Sequence, residues 1–135
     1  MQRPNGLSIV RIHNQKTGSK DLNDEYVVIL NDGNQGWELA GWEVTDETPT
    51  QRRPHIYKFP KVLAHGRTWT FEPGEAIFVN TGHGEDKFLA TVGEGKRPQF
   101  HFFWNRDAFV WNNSGDRVFL RHPNGTFATE PFPVP

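Results

Sequence analysis

The side chains in this sequence that could bind a metal ion or transfer a proton are its histidines and acidic residues. The six histidines are His13, His55, His65, His83, His101 and His122. None stands in an HxH or HExxH pair, the spacings that bring two imidazoles to one metal ion. We therefore expect solvated or core-edge histidines and no metal site.

Two acidic loops offer oxygen ligands to a cation. They contain Asp21, Asn23, Asp24 and Glu25 in one case, and His83, Glu85 and Asp86 in the other. The first loop lacks the twelve-residue spacing of calcium-binding hands. Polar turns at the end of a sheet explain both loops, with calcium binding as an alternative. The sequence predicts no cofactor.

Nucleophile signatures are also missing. The chain has no cysteine, which excludes disulfides, thiolate metal sites and a cysteine nucleophile. Ser8, Ser19 and Ser114 lack a GxSxG context. The GEGK motif at residues 93–96 is too short for a phosphate-binding loop. We expect no catalytic residues and no enzymatic activity.

A basic segment runs from residue 52 to residue 67 and contains no acid. Its cations are Arg52, Arg53, Lys58, Lys61 and Arg67. With Tyr57 and Phe59 between them, these side chains form a candidate surface for a polyanion or nucleic acid. A solvated loop and edge strand is the alternative, because lysine and arginine deter edge-to-edge pairing. The formal net charge of −1 argues against a dedicated nucleic-acid binder.

The elements that must position these residues are strands. Thirteen glycines, ten prolines and eleven phenylalanines in 135 residues favour turns and strands, and no segment shows helical apolar spacing. Strands are predicted at residues 7–13, 25–31, 37–45, 55–59, 67–71, 76–80, 100–104, 117–122 and 126–130. A polyproline-like tail follows at 129–135, outside a core at about 7–128. Eight or nine short strands are typical of one sandwich or barrel domain.

The chain is organised around residues 104–116, WNRDAFVWNNSGD. Phe109, Val110 and Trp111 are predicted to plug one end of the β core. The polar run at 112–116 is predicted to be a turn, since Asn, Asp, Ser and Gly favour turn geometry.

Five motifs in order resemble the lamin tail domain. They are DLNDEYVVILN, LAGWEVTDE, HIYKFP, FEPGEAIFVNTG and FHFFWNRDAFVWNNSGD, and they lie between residues 21 and 116. The similarity as a whole spans roughly residues 9–127. The resemblance implies an immunoglobulin-like, two-sheet β-sandwich without catalytic residues. Such domains bind proteins and, weakly, DNA. It also implies that Trp42, Trp104 and Trp111 are core residues, leaving Trp37 and Trp69 as a possible sugar platform in an accessory module.

Apolar residues also occupy strand positions expected to face outward. They are Tyr26, Val28, Leu30, Phe78 and Phe103. If these side chains share one sheet, they form an apolar patch that monomers rarely expose. Two explanations are open. Either segment 51–67 or loop 81–97 covers the patch, or the patch binds a protein partner, which includes a second copy in a homodimer.

No apolar run approaches the roughly 20 residues of a membrane helix, and the N-terminus lacks the apolar stretch of a signal peptide. The sequence therefore predicts no membrane contact. It predicts a cytoplasmic location if the chain is complete as written; an excised piece of a larger protein is the alternative.

Overall fold

Two β-sheets packed face to face make up the described part of the chain. The computed structural model describes residues 6–46, 55–90, 97–111 and 116–135. The strands are β1 (Leu7–His13), β2 (Tyr26–Asn31), β3 (Glu43–Asp46), β4 (Ile56–Lys58), β5 (Ala76–Asn80), β6 (Lys87–Leu89), β7 (Gln99–Phe103), β8 (Arg117–Arg121) and β9 (Phe132–Pro133). Three single-turn 3-10 helices lie at Gln15–Thr17, Leu22–Asp24 and Ala64–Gly66. No α-helix occurs within the described ranges, and none of their helices is long and apolar enough to cross a bilayer.

One sheet has five strands in the order β1-β2-β5-β7-β6, and the other has four in the order β4-β3-β8-β9. β5 and β7 run parallel. The other paired strands run antiparallel. This architecture confirms the predicted all-β, immunoglobulin-like two-sheet sandwich.

The core lies between the sheets and follows the period-2 alternation of each strand. Val27 and Ile29 point inward from β2, while Val44 and Leu120 point inward from the opposite sheet. Aromatic side chains fill much of the space. The largest fully buried rings are Trp111, Phe59, Phe71 and Phe102.

The C-terminal end differs from the prediction. The strand predicted at 126–130 is reduced to an isolated bridge between Phe127 and Arg121. The tail expected to be polyproline-like instead forms β9, and Val134 is only 5% exposed in the core. The tail carries apolar side chains that burial stabilises, and β9 is an edge strand, where Pro133 is tolerated. The strand predicted at 67–71 is likewise reduced to isolated bridges.

A buried carboxylate fixes the stretch around which the chain is organised. Glu25 is 0% exposed. Its Oε1 accepts hydrogen bonds from Thr81 Oγ1 (2.7 Å) and the Val110 amide (2.8 Å), and its Oε2 accepts one from the Trp111 amide (3.3 Å). Asn14 Nδ2 donates to the Trp111 carbonyl at 2.7 Å. We call these contacts the Glu25 latch.

The latch holds Val110 and Trp111 in the buried position that the sequence predicted, and both side chains are at most 5% exposed. Phe109 is only partly buried. The predicted turn lies mostly outside the described residues, which omit 112–115.

Candidate interaction surface

The outward side of the five-stranded sheet carries a row of rings. Outward positions alternate with core positions such as Ile77 and Val79, so Tyr26, Phe78 and His101 share one side with His13 at the end of β1. We call this side the ladder face.

The rings of the ladder face contact one another across four adjacent strands. Ring centroids are 5.1 Å apart for His13 and Tyr26, 5.3 Å for Tyr26 and Phe78, and 4.7 Å for Phe78 and His101. These separations match the spacing of about 4.8 Å between strands. Each ring therefore stands beside its neighbour and covers part of that neighbour's face, so the row is a ridge that presents ring edges.

The hydrogen bonds of His101 fit a neutral imidazole in this row. Its Nε2 donates to Gln99 Oε1 at 2.9 Å, and its Nδ1 accepts from Asn80 Nδ2 at 3.4 Å. Burial, and then the positive charge of Lys87, lower the pKa of His101 below its usual value. A neutral ring stacked at 14° on Phe78 completes the ridge.

Cations stand at both margins of the ladder face. The Arg11 guanidinium lies over the Tyr26 ring, 5.7 Å from its centroid. Lys87 pairs with His101 in the β6–β7 register, and the side chains of Arg11 and Lys87 are exposed. The five strands contain no Asp or Glu.

The predicted patch residues occupy this face unequally. Val28 is only 7% exposed, although it lies outside the core cluster; Tyr26, Leu30 and Phe78 are half-buried. Phe103 is approached by another segment, because a Cβ added to Gly84 would lie 2.6 Å from its ring. The nearby Asp86 accepts a hydrogen bond from the Phe103 amide at 3.0 Å.

Among the described segments, the stretch with Gly84 and Asp86 approaches the ladder face at its Phe103 end. In the segment 51–67, Tyr57, Phe59 and Leu63 point into the core. In the loop 81–97, residues 87–89 extend the sheet as β6. Residues 47–54 and 91–96 lie outside the described part of the chain. The sequence pattern indicated Tyr26, Val28 and Phe78 but missed Arg11, His13, His101 and Lys87, although His101 alternates visibly with Phe100 and Phe102.

The outward side of the four-stranded sheet carries a different apolar group. Phe119 stacks on Phe127 with centroids 4.2 Å apart, and Phe127 is 51% exposed. Ile56 lies in the same cross-strand row as Phe119 and is 39% exposed. We call these three residues the Phe127 patch. Beside it, Arg121 Nη2 donates to Glu43 Oε1 at 2.6 Å.

The predicted polyanion residues that the structure describes are spread over different elements. Arg52 and Arg53 lie outside the described residues. Lys58 is on β4, opposite Glu43 in the register, Lys61 is exposed in the following loop, and Arg67 lies on a groove beside Glu75. That groove of about 160 Å³ is smaller than the roughly 300 Å³ typical of ligand pockets.

The acidic loops use their oxygens on the protein itself. Glu25 belongs to the latch, and Asp21 Oδ1 accepts the amides of Asn23 and Asp24. His83 Nε2 is 2.8 Å from Asp107 Oδ1. Among the described residues, no three His, Asp or Glu side chains converge in a geometry that could hold a metal ion.

The two remaining tryptophans pack on the core and do not form an open sugar platform. Trp69 donates its Nε1 hydrogen to the Pro60 carbonyl at 2.9 Å, and its ring contacts Phe100 and Phe102. Trp37 packs edge-on against Trp42 at 5.7 Å.

Ser19 and His13 are in contact, and they do not form a catalytic pair. Ser19 Oγ is 3.0 Å from His13 Nδ1 and donates to the Asp24 carbonyl at 2.7 Å. His13 Nδ1 contacts the same carbonyl. Because a carbonyl only accepts, Nδ1 carries the hydrogen and has no lone pair to take a proton from Ser19.

Comparison with known proteins agrees with this geometry. The Lamin Tail Domain family model matches residues 1–130, nearly the whole chain. No curated protein matches the sequence closely enough to count as a relative. The matched family consists of non-enzymatic, immunoglobulin-like domains, and the two-sheet sandwich agrees with the immunoglobulin-like fold. The chain belongs to the lamin tail domain family.

Proposed function

We propose that this domain is a non-catalytic binding module and that a protein partner docks on its ladder face. The observation that carries this proposal is the row of rings from His13 to His101 on the outside of the sheet. An apolar surface rimmed by polar groups is typical of an interaction site. Phe78 lies at the centre of the row, where it is best placed to act as an anchor.

The ridge geometry favours a protein over a flat ligand. Bases and sugars stack on open ring faces, whereas the rings here cover part of each other's faces and present edges. A ridge fits between the side chains of a protein segment, where packing density is high at interface cores.

A random-peptide library displayed on phage tests the proposal. Peptides selected on the wild-type domain are then measured against two variants that each remove one outward-facing ring, Phe78→Ser on the ladder face and Phe127→Ser on the opposite sheet. We expect the Phe78 variant to weaken binding about tenfold or more, since a buried aromatic anchor contributes at least about 1.4 kcal/mol.

The Phe127 variant is the matched control and should bind the selected peptides as the wild type does. If the affinity of the selected peptides falls only in the Phe127→Ser variant, the binding surface lies on the other sheet, and this would contradict the proposal. A library that yields no binding peptide would also count against it.

A further inference from the structure

Building on the proposed function, we infer that the segment docking on the ladder face carries two carboxylates about 19 Å apart, with apolar side chains between them. The proposed function says where a partner docks, and the paired carboxylates say which chemical groups that partner carries. It follows from a single cross-strand row whose two ends are positively charged.

The row is fixed by the strand register. Arg11 is opposite Val28, Val28 is opposite Phe78, and Phe78 is opposite His101. Lys87 is opposite His101 on the far strand. The row therefore crosses all five strands, with a cation at each edge and apolar or neutral side chains between. Four strand spacings of about 4.8 Å separate the Cα positions of Arg11 and Lys87 by about 19 Å.

No carboxylate within the five strands neutralises these cations, because the strands contain no Asp or Glu. Two acids in the flanking loops have other partners: Glu25 is buried in the latch, and Asp86 accepts a hydrogen bond from the Phe103 amide. Charge complementarity across an interface steers encounters and rejects wrong partners. A partner with carboxylates at both ends of the row satisfies this requirement.

A second copy of the chain does not satisfy it. Two-fold pairing of the ladder face with itself, with the two rows aligned, would place Arg11 or Lys87 of one copy against the same cations of the other. Like charges at the ends of the interface oppose such a dimer, although the rings alone would favour it.

A nucleic acid fits the face less well than an acidic protein segment does. Phosphate recognition uses many cations along the backbone, and single strands use open ring faces for stacking. The ladder face offers two cations at fixed positions, and its rings are stacked on one another.

The separation between the cations specifies the spacing of the acids. In an extended segment, residues i and i+6 point to the same side and lie about 20 Å apart at about 3.3 Å per residue. Residues i+2 and i+4 point to that side too and meet the ridge. The simplest probe is a capped heptapeptide with Glu at positions 1 and 7, Leu at positions 3 and 5, and Thr elsewhere.

Three control heptapeptides test separately the charge of the terminal residues and the spacing between the two acids. One has Gln at positions 1 and 7, one has Lys there, and one exchanges the Glu and Leu positions so that the acids are too close together. Affinities are measured by titration of the full domain, monitored through its amide NMR signals. We expect the Glu peptide to bind about tenfold more tightly than the Lys peptide and about threefold more tightly than the Gln peptide, because each exposed charge pair contributes modestly.

A charge exchange makes the test specific to the two cations. The double variant Arg11→Glu and Lys87→Glu should prefer the Lys peptide. The control double variant Lys58→Glu and Lys61→Glu changes the net charge equally but lies off the ladder face, so it should keep the preference for Glu.

Several results would overturn the inference. For the peptides, they are equal affinity for the Glu, Gln and Lys versions, no loss of affinity when the acids are moved, or no binding at about 1 mM peptide. For the other occupants, they are a dimer in sedimentation that Phe78→Ser dissociates, or tighter binding of a single-stranded oligothymidine to the wild type than to the charge-exchanged variant. If library peptides still depend on Phe78 but lack the paired acids, the proposed function stands and only this inference fails.

Discussion

The Glu25 latch and the ladder face are opposite exceptions to the usual distribution of side chains. The latch places a carboxylate at 0% exposure inside the protein, and the ladder face places aromatic rings on the outside. Burying a charged group is costly unless it is hydrogen-bonded, and Glu25 accepts three hydrogen bonds. The rings of the ladder face have one another as partners and keep their edges at the surface.

The difference separates a structural role from a binding role. The hydrogen bonds of Glu25 join β2 to the 104–111 stretch, so the latch supports the fold. The ladder face contributes little to the core, because its side chains lie outside the core cluster. Substitutions in the latch should therefore lower stability, and substitutions on the ladder face should mainly weaken binding.

The largest expected effect is on stability at the latch. Glu25→Ala leaves two buried amides and the Thr81 hydroxyl without their acceptor, and each such loss costs about 1–3 kcal/mol. We expect the free energy of unfolding to fall by about 3 kcal/mol or more in urea denaturation. The exposed Glu38→Ala is the control, with a change within about 0.5 kcal/mol. A Glu25→Ala variant as stable as this control would show that the latch is not structural.

A smaller effect is expected at the other half of the latch. Asn14→Ala removes the hydrogen bond to the Trp111 carbonyl and the side-chain cap of the 3-10 helix at Gln15–Thr17. The expected loss is about 1–2 kcal/mol, measured in the same denaturation experiment. Gln15→Ala, at an exposed neighbour, should leave stability nearly unchanged.

Phe78→Ser should change stability less than either latch variant while weakening peptide binding about tenfold or more. The ring is half-buried and outside the core cluster, so we expect a loss of about 1 kcal/mol. Equilibrium denaturation and the peptide titration are run on the same sample. A loss as large as that of Glu25→Ala would make Phe78 a core residue and remove the contrast between the two regions.

The smallest expected effect is a shift in the pKa of His101. Lys87→Met removes a positive charge that lowers this pKa, so the pKa should rise, while remaining below the ordinary value of 6.5 because burial is the larger cause. NMR titration of the imidazole measures it. Since the unfolded chain takes up the proton first, wild-type stability should decline as the pH falls through 6.5, and less so in the variant. An unchanged pKa would contradict the placement of Lys87 beside His101.

The sequence predicted the sandwich well because strand alternation and turn residues are local signals. EYVVILN and AIFVN alternate clearly, and they form β2 and β5. The C-terminal tail was misjudged because the benefit of burying Val134 depends on a groove formed by distant strands. Pairing of Phe132 with Val118 cannot be read from a proline-rich segment alone.

The binding surface was predicted in part for the same reason. Outward apolar positions on β2 and β5 are visible in the sequence, so Tyr26 and Phe78 were identified. The cations at the margins depend on which strands form the edges, and that is a property of topology. Glu25 was considered as a calcium ligand because it lies in a loop with other oxygen donors. Only the fold shows that its carboxylate oxygens accept hydrogen bonds from main-chain amides.

The most direct test is a map of amide NMR shifts in the full domain on adding the Glu heptapeptide. We expect shifts concentrated at Tyr26, Phe78 and His101, little change at Val110 and Trp111 in the latch, and none at Phe127. Shifts centred on Phe127, or spread evenly over both sheets, would contradict the claim that the ladder face is the binding surface.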